Sequence, residues 1–432
     1  MRTPSLDALR GFRRPVYLVA LGQLVNLFGS GLVYPFATVH FHLEVGISLG
    51  VVGFGLLLNN VATAVGTAVG GFAADRVGRK PVMVTSMALS TATLAAYAAV
   101  TDATGFVAVA SAAGLTLGLF PPASQAMIAD LTDGSERDRA FALLKVANNA
   151  GFGLGFVAGG VLYSIAQLAV FVADGLTCGV VAVLLWATLP RMRRGDAGSE
   201  AAADAKSSLV TALSDWRRAV TRPRIVSLAL LNVGFAVMYA QMQATVPVVA
   251  TETLGLSSAE LGTLYVLNPV VIVTLQLPLV AAIGEWRRTR GLVVSAGFWA
   301  AAMLAIWVVA LGPVVGVSVP VAVGVAFVGA FLVLRTLGEI LHSPLVSSLA
   351  SDISPEAERG SGLSLVEIAK RLGFGIGAAL GGAFFDFGIG FWLWPTLAFG
   401  CVGLAAGVLA LERRVTPAEN GASASRTTAT AE

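Results

Sequence analysis

The residues with the clearest capacity for chemistry lie in an apolar stretch, FLVLRTLGEILHSP, in the last third of the chain. Arg335 and Glu339 are four residues apart, which places them on one helix face, and His342 follows three residues later. Ionisable groups inside apolar segments are costly to bury and are functional candidates by default. A carboxylate beside an arginine stays ionised until the pair opens, and it can then accept a proton. We therefore predict that Glu339 is the proton-responsive group, that Arg335 keeps it ionised and that His342 modulates it.

A second apolar stretch, GLSLVEIAKRLGFG, carries Glu367, Lys370 and Arg371 on neighbouring helix faces. Glu367 is the competing candidate for proton coupling, although it lies nearer the end of its stretch and has two basic neighbours. The alternative interpretation is that both Glu–Arg pairs are neutralised structural contacts, since such pairs lower the cost of burial. Together with the first pair and Lys145, the embedded groups number four positive and two negative, which suits an anionic or polar substrate better than a lipophilic cation.

The composition indicates that these charges are embedded in a lipid bilayer. Of the 432 residues, 56% are hydrophobic and only 12% are charged, whereas an ordinary soluble domain is about 25% charged. The mean hydropathy is +0.81. These values exclude a soluble domain, a disordered chain and a nucleic-acid-binding protein as the main interpretation. They predict an all-α integral membrane fold.

Twelve windows are long and apolar enough to span a bilayer, which takes about 20 residues per helix. No run of alternating apolar residues typical of a transmembrane β-barrel strand occurs. The predicted windows are 15–40, 48–74, 81–101, 104–130, 140–165, 166–190, 223–251, 258–284, 291–312, 315–350, 362–386 and 390–412.

The basic residues between these windows predict the orientation of the chain. Arginines and lysines cluster in the N-terminal segment, in alternate loops, in the 191–222 segment and after the last window, whereas the opposite set of loops has none. The positive-inside rule therefore places both termini in the cytoplasm. The expected location of the protein is the plasma membrane of the cell. Counting back about 1.5 Å per residue from the cytoplasmic end places Glu339 and His342 near the midplane, and Lys370 and Arg371 about 12 Å deep.

The chain divides into two halves that repeat one another. We predict a cytoplasmic N-terminus over 1–14, a six-helix bundle over 15–190, a cytoplasmic linker over 191–222, a second bundle over 223–412 and a disordered cytoplasmic tail over 413–432. At a constant offset of 222 residues, Asp130 aligns with Asp352 and the stretch GFGLGFVAGG aligns with GFGIGAALGG. Parallel six-helix repeats place a substrate site at mid-membrane. The glycines that we expect to pack helices closely are Gly151, Gly155 and Gly159 with their repeat mates Gly373, Gly377 and Gly381.

The loop after the second window reads GGFAADRVGRKP and resembles the G-x-x-x-D-R-x-G-R-K signature of the major facilitator superfamily. We expect Gly71 to allow close helix packing and Gly78 to permit a tight turn. The resemblance implies twelve helices in two pseudo-symmetric bundles, a monomer and transport by alternating access. It also implies that Asp75 caps the start of the eleventh helix and locks the outward-facing state; the alternative is a merely tight, basic loop. The signature residues are Gly71, Asp75, Arg76, Gly78, Arg79 and Lys80.

Two further segments compare less closely with the family. The matching loop of the second half, IGEWRRTRG, offers Glu285 in the acidic role and lacks a glycine at the turn, so any lock there should be weaker. Gly151–Gly160 resembles the fifth-helix motif of drug/proton antiporters, but Phe156 replaces its proline, and the branch's fourth-helix arginine is absent near Ala110. Simple packing by small residues remains the alternative interpretation.

Other polar residues in the windows are candidates for lining a substrate cavity. The third, sixth, ninth and twelfth windows are nearly free of charge apart from Asp174, and the resemblance implies that they are lipid-facing supports. The cavity candidates are Gln23, Asn26, Asn59, Lys145, Asn148, Asn149, Tyr239, Gln243, Asn268, Lys370 and Arg371.

The function that these features predict is secondary transport of a small molecule by alternating access, with proton-coupled efflux as the leading form. The alternatives are a uniporter or importer of a polar or anionic metabolite and, less favoured, a non-transport membrane protein. The sequence contains no G-x-x-x-x-G-K-[ST] or HExxH motif and only three histidines, so we expect no enzyme activity, no cofactor and no metal site. The expected partners are a small-molecule substrate, a proton or another coupling ion, and the lipid bilayer.

Overall fold

Helices build the whole described part of this computed structural model, which comprises residues 11–132, 134–189, 220–284, 286–355 and 358–421. No strand occurs among these residues, and the predicted all-α membrane fold is confirmed. The described residues form twelve long helical segments: α1 Arg14–Glu44, α2 Leu49–Val77, α3 Arg79–Ala99, α4 Ala103–Leu131, α5 Gly134–Ile165, α6 Ala169–Thr188, α7 Pro223–Thr253, α8 Ser258–Ala282, α9 Arg288–Val314, α10 Val321–Ile353, α11 Arg359–Asp386 and α12 Gly390–Glu412.

Eleven of these segments are long and apolar enough to cross a membrane by length and composition. The remaining one, α11, has 28 residues, but its first half carries the charged cluster Glu367, Lys370 and Arg371. A helix of 28 residues spans about 42 Å, which is sufficient for a bilayer. The charges in α11 are therefore the feature that separates it from its neighbours.

Helices α1 and α7 share an irregularity near their C-terminal ends. Each α-helix is interrupted by a short turn and ends in a π-helical turn, His40–Glu44 in α1 and Val249–Thr253 in α7. A proline lies shortly before each π-turn, Pro35 in α1 and Pro247 in α7, and proline cannot donate a main-chain hydrogen bond. π-Turns often mark functional segments, and these two occupy corresponding places in the two halves.

The first compact unit comprises Met1–Ala202 and Ser257–Pro269. Within it, α1 packs against α5 and α6, α2 against α4, and α3 against α6. The beginning of α8 also belongs to this unit, because it packs on α5, and a Cβ at Gly262 would lie 2.5 Å from the Phe156 carbonyl oxygen. Residues 257–269 thus group with the first half, whereas the predicted division placed all of α8 in the second.

The second compact unit comprises Ala203–Leu256 and Val270–Glu432. Within it, α7 packs against α11, and α9 packs against both α10 and α12. The α7–α11 and α9–α12 pairs of this unit correspond to the α1–α5 and α3–α6 pairs of the first. The same pairing of helices therefore occurs in both units.

Glycines lie where the paired helices approach most closely. A Cβ added at Gly151 or Gly155 of α5 would lie 2.4 or 2.3 Å from a main-chain oxygen of α1, and one at Gly373 of α11 would lie 2.3 Å from the Val233 oxygen of α7. Such separations are too short for any side chain, so only glycine allows these helices to touch. Of the other three predicted packing positions, Gly159 faces the main chain of Leu32 and Gly377 faces that of Val237, whereas Gly381 faces the side chains of Thr245 and Gln241.

The expectation for Gly71 does not hold. A Cβ at Gly71 would lie 3.8 Å from Pro122, which is an ordinary contact distance. Helix α2 instead approaches α4 at Gly66 and Gly70, where an added Cβ would lie 2.3 and 2.6 Å from the main-chain oxygens of Leu115 and Leu119. The close approach therefore lies on the helix face that Gly66 and Gly70 share, whereas Gly71 meets α4 only at an ordinary contact distance.

The first part of the C-terminal tail differs from the expected disorder. Thr416 and Glu419 close a turn, in which the Thr416 amide donates to the Glu419 carboxylate at 2.8 Å. Asn420 Nδ2 donates to the Thr289 hydroxyl at 2.9 Å, and Arg224 Nη1 donates to Glu419 at 2.9 Å. These contacts hold residues 413–421 against the starts of α7 and α9. Residues 422–432, residues 1–10, the linker 191–222 up to residue 219 and Glu285 lie outside the described residues.

Candidate functional site

The ion pair predicted on α10 is present near the middle of that 33-residue helix. Arg335 Nη1 donates to Glu339 Oε2 at 2.6 Å, and the Arg335 side chain is 5% exposed while that of Glu339 is 27% exposed. A charge-assisted hydrogen bond of this kind offsets part of the cost of burying both charges. Since Glu339 is the more exposed member, it is the member that a proton or a ligand can reach.

Tyr239 of α7 lies against two cations. Its ring centroid is 5.0 Å from Arg335 Cζ and 5.2 Å from Lys370 Nζ. The negative face of an aromatic ring attracts a cation, most strongly away from water. Lys370 makes no ion pair within the part of the chain that the structure describes. Tyr239 therefore joins α7, α10 and α11 around a group of side chains with an excess of positive charge.

His342 lies in an aromatic cluster with Phe235, Tyr239 and Trp299. Its ring centroid is 4.5 Å from that of Phe235 and 5.9 Å from those of Tyr239 and Trp299. The side chain is 2% exposed, and neither ring nitrogen has a hydrogen-bond partner among the described residues. The structure thus places His342 among aromatic rings, and its predicted influence on Glu339 stays a prediction.

Glu367 and Arg371 form a looser pair on α11. Their closest atoms are 3.7 Å apart, and the Glu367 side chain is 55% exposed. The longer separation makes this contact weaker than the direct hydrogen bond between Arg335 and Glu339. Of the two acidic candidates, Glu339 is therefore the one with the shorter bond and the more buried partner.

Two cavity candidates of the first unit are engaged in contacts between helices. Asn59 of α2 donates through Nδ2 to the Ala110 carbonyl of α4 at 2.8 Å, and Cys178 of α6 donates to Asn26 Oδ1 of α1 at 3.4 Å. These amides hold neighbouring helices together. By contrast, Gln23 Oε1 and Asn148 Oδ1 are buried without a hydrogen-bond partner in the described structure, which leaves both acceptors available.

The remaining cavity candidates differ in exposure. Lys145 is exposed, and half-buried positions are held by Asn149, Gln243 and Asn268. The predicted residues that the structure brings together are those of the second unit: Tyr239, Arg335, Glu339, His342 and Lys370.

The signature loop after α2 is organised by Arg79. Gly78 ends α2 with φ +104°, a backbone conformation that favours glycine, and α3 begins directly after it. From this turn Arg79 donates to Asp75 at 2.7 Å and to the Ala74 carbonyl at 2.8 Å, and its Nε lies 3.3 Å from Asp130. Arg79 therefore ties the end of α2 and the start of α3 to the end of α4.

The other signature residues hold the same loop. Arg76 lies over the Phe72 ring, 4.1 Å from its centroid, and the Lys80 ammonium donates to the Leu189 carbonyl after α6. Asp75 pairs with Arg79, and its side chain is mostly exposed. A cap by Asp75 on α11 stays a prediction.

The second unit contains an equivalent of Arg79 that the sequence reasoning missed. Arg288, at the start of α9, pairs with Asp352 at the end of α10. Asp352 is the repeat mate of Asp130, so the offset of 222 residues could have indicated this pair, whereas the loop pattern favoured Glu285 as the acidic residue. Arg287 and Arg290 also bind Glu412 at the end of α12, each at 3.0 Å.

Outside the spans, Arg222 and Glu358 form a two-pronged ion pair, with Nε to Oε2 at 2.7 Å and Nη2 to Oε1 at 3.0 Å. The hydrogen bonds to Glu358 raise the pKa of the Arg222 guanidinium above its ordinary value. Partial burial opposes ionisation of Glu419, but hydrogen bonds from Thr416 and Arg224 outweigh it and lower the pKa of that carboxyl. Both pairs therefore favour their charged forms.

Comparison with known sequences decides the family. The family model of the Major Facilitator Superfamily matches residues 19–339 and 316–431, which together cover nearly the whole chain. The chain belongs to the major facilitator superfamily. It is accordingly a multi-pass membrane transporter, and the predicted family membership is confirmed.

Curated relatives match across most of the chain. The chain is 26% identical over 377 residues to the uncharacterized MFS-type transporter YttB of Bacillus subtilis (strain 168), covering 86% of this chain and 89% of that protein. It is 27% identical over 379 residues to the multidrug resistance protein MdtH of Yersinia pestis (strain Pestoides F), covering 86% and 87%. A multidrug resistance protein is thus among the relatives that the chain resembles.

Solved structures share the fold. The peptide transporter POT in complex with sulfate superposes with a TM-score of 0.76 at 16% identity, covering 96% of this chain and 99% of that one. A point mutant of the nucleoside transporter NupG superposes with a TM-score of 0.72 at 12% identity, covering 92% and 99%. At this identity the likeness concerns the fold alone.

Proposed function

We propose that this transporter moves a small molecule by alternating access and that it couples efflux to the entry of protons. The observation that carries the proposal is the Arg335–Glu339 pair, which lies in the middle of α10 with its arginine over the ring of Tyr239. A buried charge pair without a role in the cycle is costly to keep, whereas a pair that opens and closes can link a proton to a conformational change.

The physical steps follow from the pair. While Arg335 holds Glu339, the carboxylate is ionised and the local charge is nearly balanced. A proton that arrives from outside neutralises Glu339 and releases Arg335, and this rearrangement lowers the affinity of the site for the substrate. When the proton leaves Glu339 on the cytoplasmic side, the pair closes again and the site binds the next substrate molecule. Because proton binding and substrate binding oppose one another, one proton can enter for each substrate molecule that leaves.

Efflux as the direction is supported by the relatives. MdtH carries the name of a multidrug resistance protein, and the fifth-helix glycines resemble those of drug/proton antiporters. Operation as a monomer in the plasma membrane, with both termini in the cytoplasm, completes the proposal, and the positive-inside distribution of arginines supports the orientation.

A second candidate function is import or facilitated passage of a polar or anionic metabolite. Arg335 and Lys370 both lie within 5.2 Å of the Tyr239 ring centroid, and the group that they form with Glu339 carries an excess of positive charge. This charge favours an anionic group on the substrate. A panel of substrates of both charges is therefore needed.

The decisive experiment uses proteoliposomes with an imposed pH gradient and a panel of drugs, sugars and organic anions. Glu339→Gln mimics the protonated acid, so we expect it to abolish accumulation driven by the pH gradient while exchange of substrate without a gradient continues. Glu367→Gln is the matched control, because its looser pair lies on a neighbouring helix, and it should retain accumulation. Accumulation by Glu339→Gln at the wild-type rate would exclude Glu339 as the coupling group.

A further inference from the structure

A second embedded acid, Asp174, lies in the first unit on α6, a helix that the family resemblance implied to be a lipid-facing support. Its side chain faces the interior of the unit and is 3% exposed. Helix α6 packs there against α1 and α3. The position is therefore enclosed by three helices.

The carboxyl group points at a niche in α1 that a glycine leaves open. A Cβ built at Gly29 would lie 2.5 Å from Asp174 Oδ1 and 2.0 Å from the Thr177 hydroxyl oxygen. Both oxygens thus occupy the space that a side chain at Gly29 would fill. One turn away, Cys178 donates to Asn26 Oδ1, so a polar contact also joins α1 and α6 beside this niche.

No group in the described structure stabilises a negative charge on Asp174. Oδ1 accepts no hydrogen bond among the described residues. The titratable groups that interact with the carboxyl are Tyr97 from α3 and Cys178 from α6, and neither can carry a positive charge. From α1 the niche presents Gly29, while His40 lies further along that helix with its Nδ1 3.3 Å from Tyr163 Oη. The described residues around the carboxyl therefore include no counter-ion.

An ionised carboxylate in such a place is energetically costly, and taking up a proton removes most of that cost. We infer that Asp174 is a proton-binding site of the first unit, separate from Glu339, and that it exchanges its proton with water when α1 moves away from α6. The step is a simple protonation, in which a solvent proton adds to one carboxylate oxygen and leaves from it, with no other bond changed.

The inference links protonation to helix packing. Closing α1 onto α6 excludes water and favours the neutral acid, whereas opening the contact hydrates the carboxyl and favours ionisation. Binding of the proton and closure of the contact stabilise one another, since the linkage is reciprocal. The inference does not depend on Glu339 and goes beyond the coupling role proposed for it.

The protonation state can be measured on the purified full-length protein in detergent. At about pH 7, wild type should show the infrared carbonyl band of a protonated carboxylic acid. Asp174→Asn should lack this band, and Glu339→Gln should keep it. A band that persists in Asp174→Asn would overturn the assignment.

A second measurement needs no variant at the site. Dicyclohexylcarbodiimide reacts with protonated carboxyl groups in apolar surroundings, so mass spectrometry of the treated wild type should find the adduct on Asp174. The exposed cap residue Asp102 should stay unlabelled. Absence of the adduct on Asp174, or protection from it by Na⁺ at constant pH, would contradict proton binding.

Proton exchange at Asp174 during the transport cycle can be tested in proteoliposomes in which the movement of substrate and of protons is measured together. Asp174→Asn should move fewer protons per substrate molecule than wild type. This expectation is independent of the result obtained with Glu339→Gln. An unchanged ratio in Asp174→Asn would overturn the exchange part of the inference.

Discussion

Arg288 and Asp352 pair between the start of α9 and the end of α10, as Arg79 and Asp130 pair between the start of α3 and the end of α4. The two arginines lie in loops of different sequence, VGRKP and EWRRT, and only the first has the glycine turn. The acidic partners, by contrast, align at the repeat offset. This ion pair is therefore common to both units, although only the first unit carries the signature motif.

We expect Arg288→Gln to weaken this tie. The variant loses the ion pair with Asp352 and the side-chain hydrogen bond to the Glu419 carbonyl, so its unfolding free energy should fall by about 1 kcal/mol. Arg414→Gln is the control, because Arg414 is exposed and makes no ion pair among the described residues. Thermal unfolding in detergent measures both, and equal midpoints would contradict the expected role.

Asp75→Asn should impair transport with little effect on folding. The Asp75 side chain is mostly exposed, and Arg79 would keep its contacts with Asp130 and the Ala74 carbonyl. The variant therefore distinguishes a role of Asp75 in the conformational cycle from a role in stability. Transport rate and unfolding midpoint should be measured on the same preparation; a normal rate would remove Asp75 from the gating mechanism.

Gly155→Ala should destabilise the α1–α5 contact by about 1–3 kcal/mol, because the new Cβ would lie 2.3 Å from the Phe28 carbonyl oxygen. Gly377→Ala should act similarly on α7 and α11. Gly403→Ala, where a Cβ meets nothing within 4 Å, should leave stability nearly unchanged. A loss of stability in all three variants would point to helix flexibility instead of close packing.

The contact of Glu419 with Arg224 should depend on pH. Because the pKa of Glu419 is lowered in the folded protein, its stabilisation is present above the ordinary value of 4.5 and is lost as the pH falls from there through the lowered pKa. Glu419→Gln should therefore lower the unfolding midpoint at neutral pH and approach wild type in acid. A constant difference between the two proteins at all pH values would contradict this linkage.

The orientation is testable with single cysteines at Ser199 and Thr104, in a background in which both native cysteines are replaced. Ser199 lies in the arginine-rich linker and Thr104 at the start of α4, in a loop region without lysine or arginine. An impermeant thiol reagent added outside intact cells should label only the Thr104 position. Labelling of the Ser199 position alone would reverse the proposed topology.

The amino-acid sequence by itself determined the membrane class, the twelve helices, the family and the pairing of Arg335 with Glu339. Each follows from local information: apolar windows of spanning length, a short signature, and a four-residue spacing that brings side chains together on any helix. The 222-residue offset also pointed to Asp352, although the sequence did not show that Arg288 would bind it.

The tertiary structure decided which polar residues face one another across helices. A membrane helix is apolar on nearly all sides. Its sequence therefore has little amphipathic pattern to distinguish the face that packs against other helices from the face that contacts lipid. Asn59 therefore donates to a carbonyl of α4, Gly66 and Gly70 replace Gly71 at the α2–α4 contact, and the carboxyl group of Asp174 is enclosed against Gly29 of α1. Such contacts depend on the rotation and approach of whole helices, which no single stretch of sequence encodes.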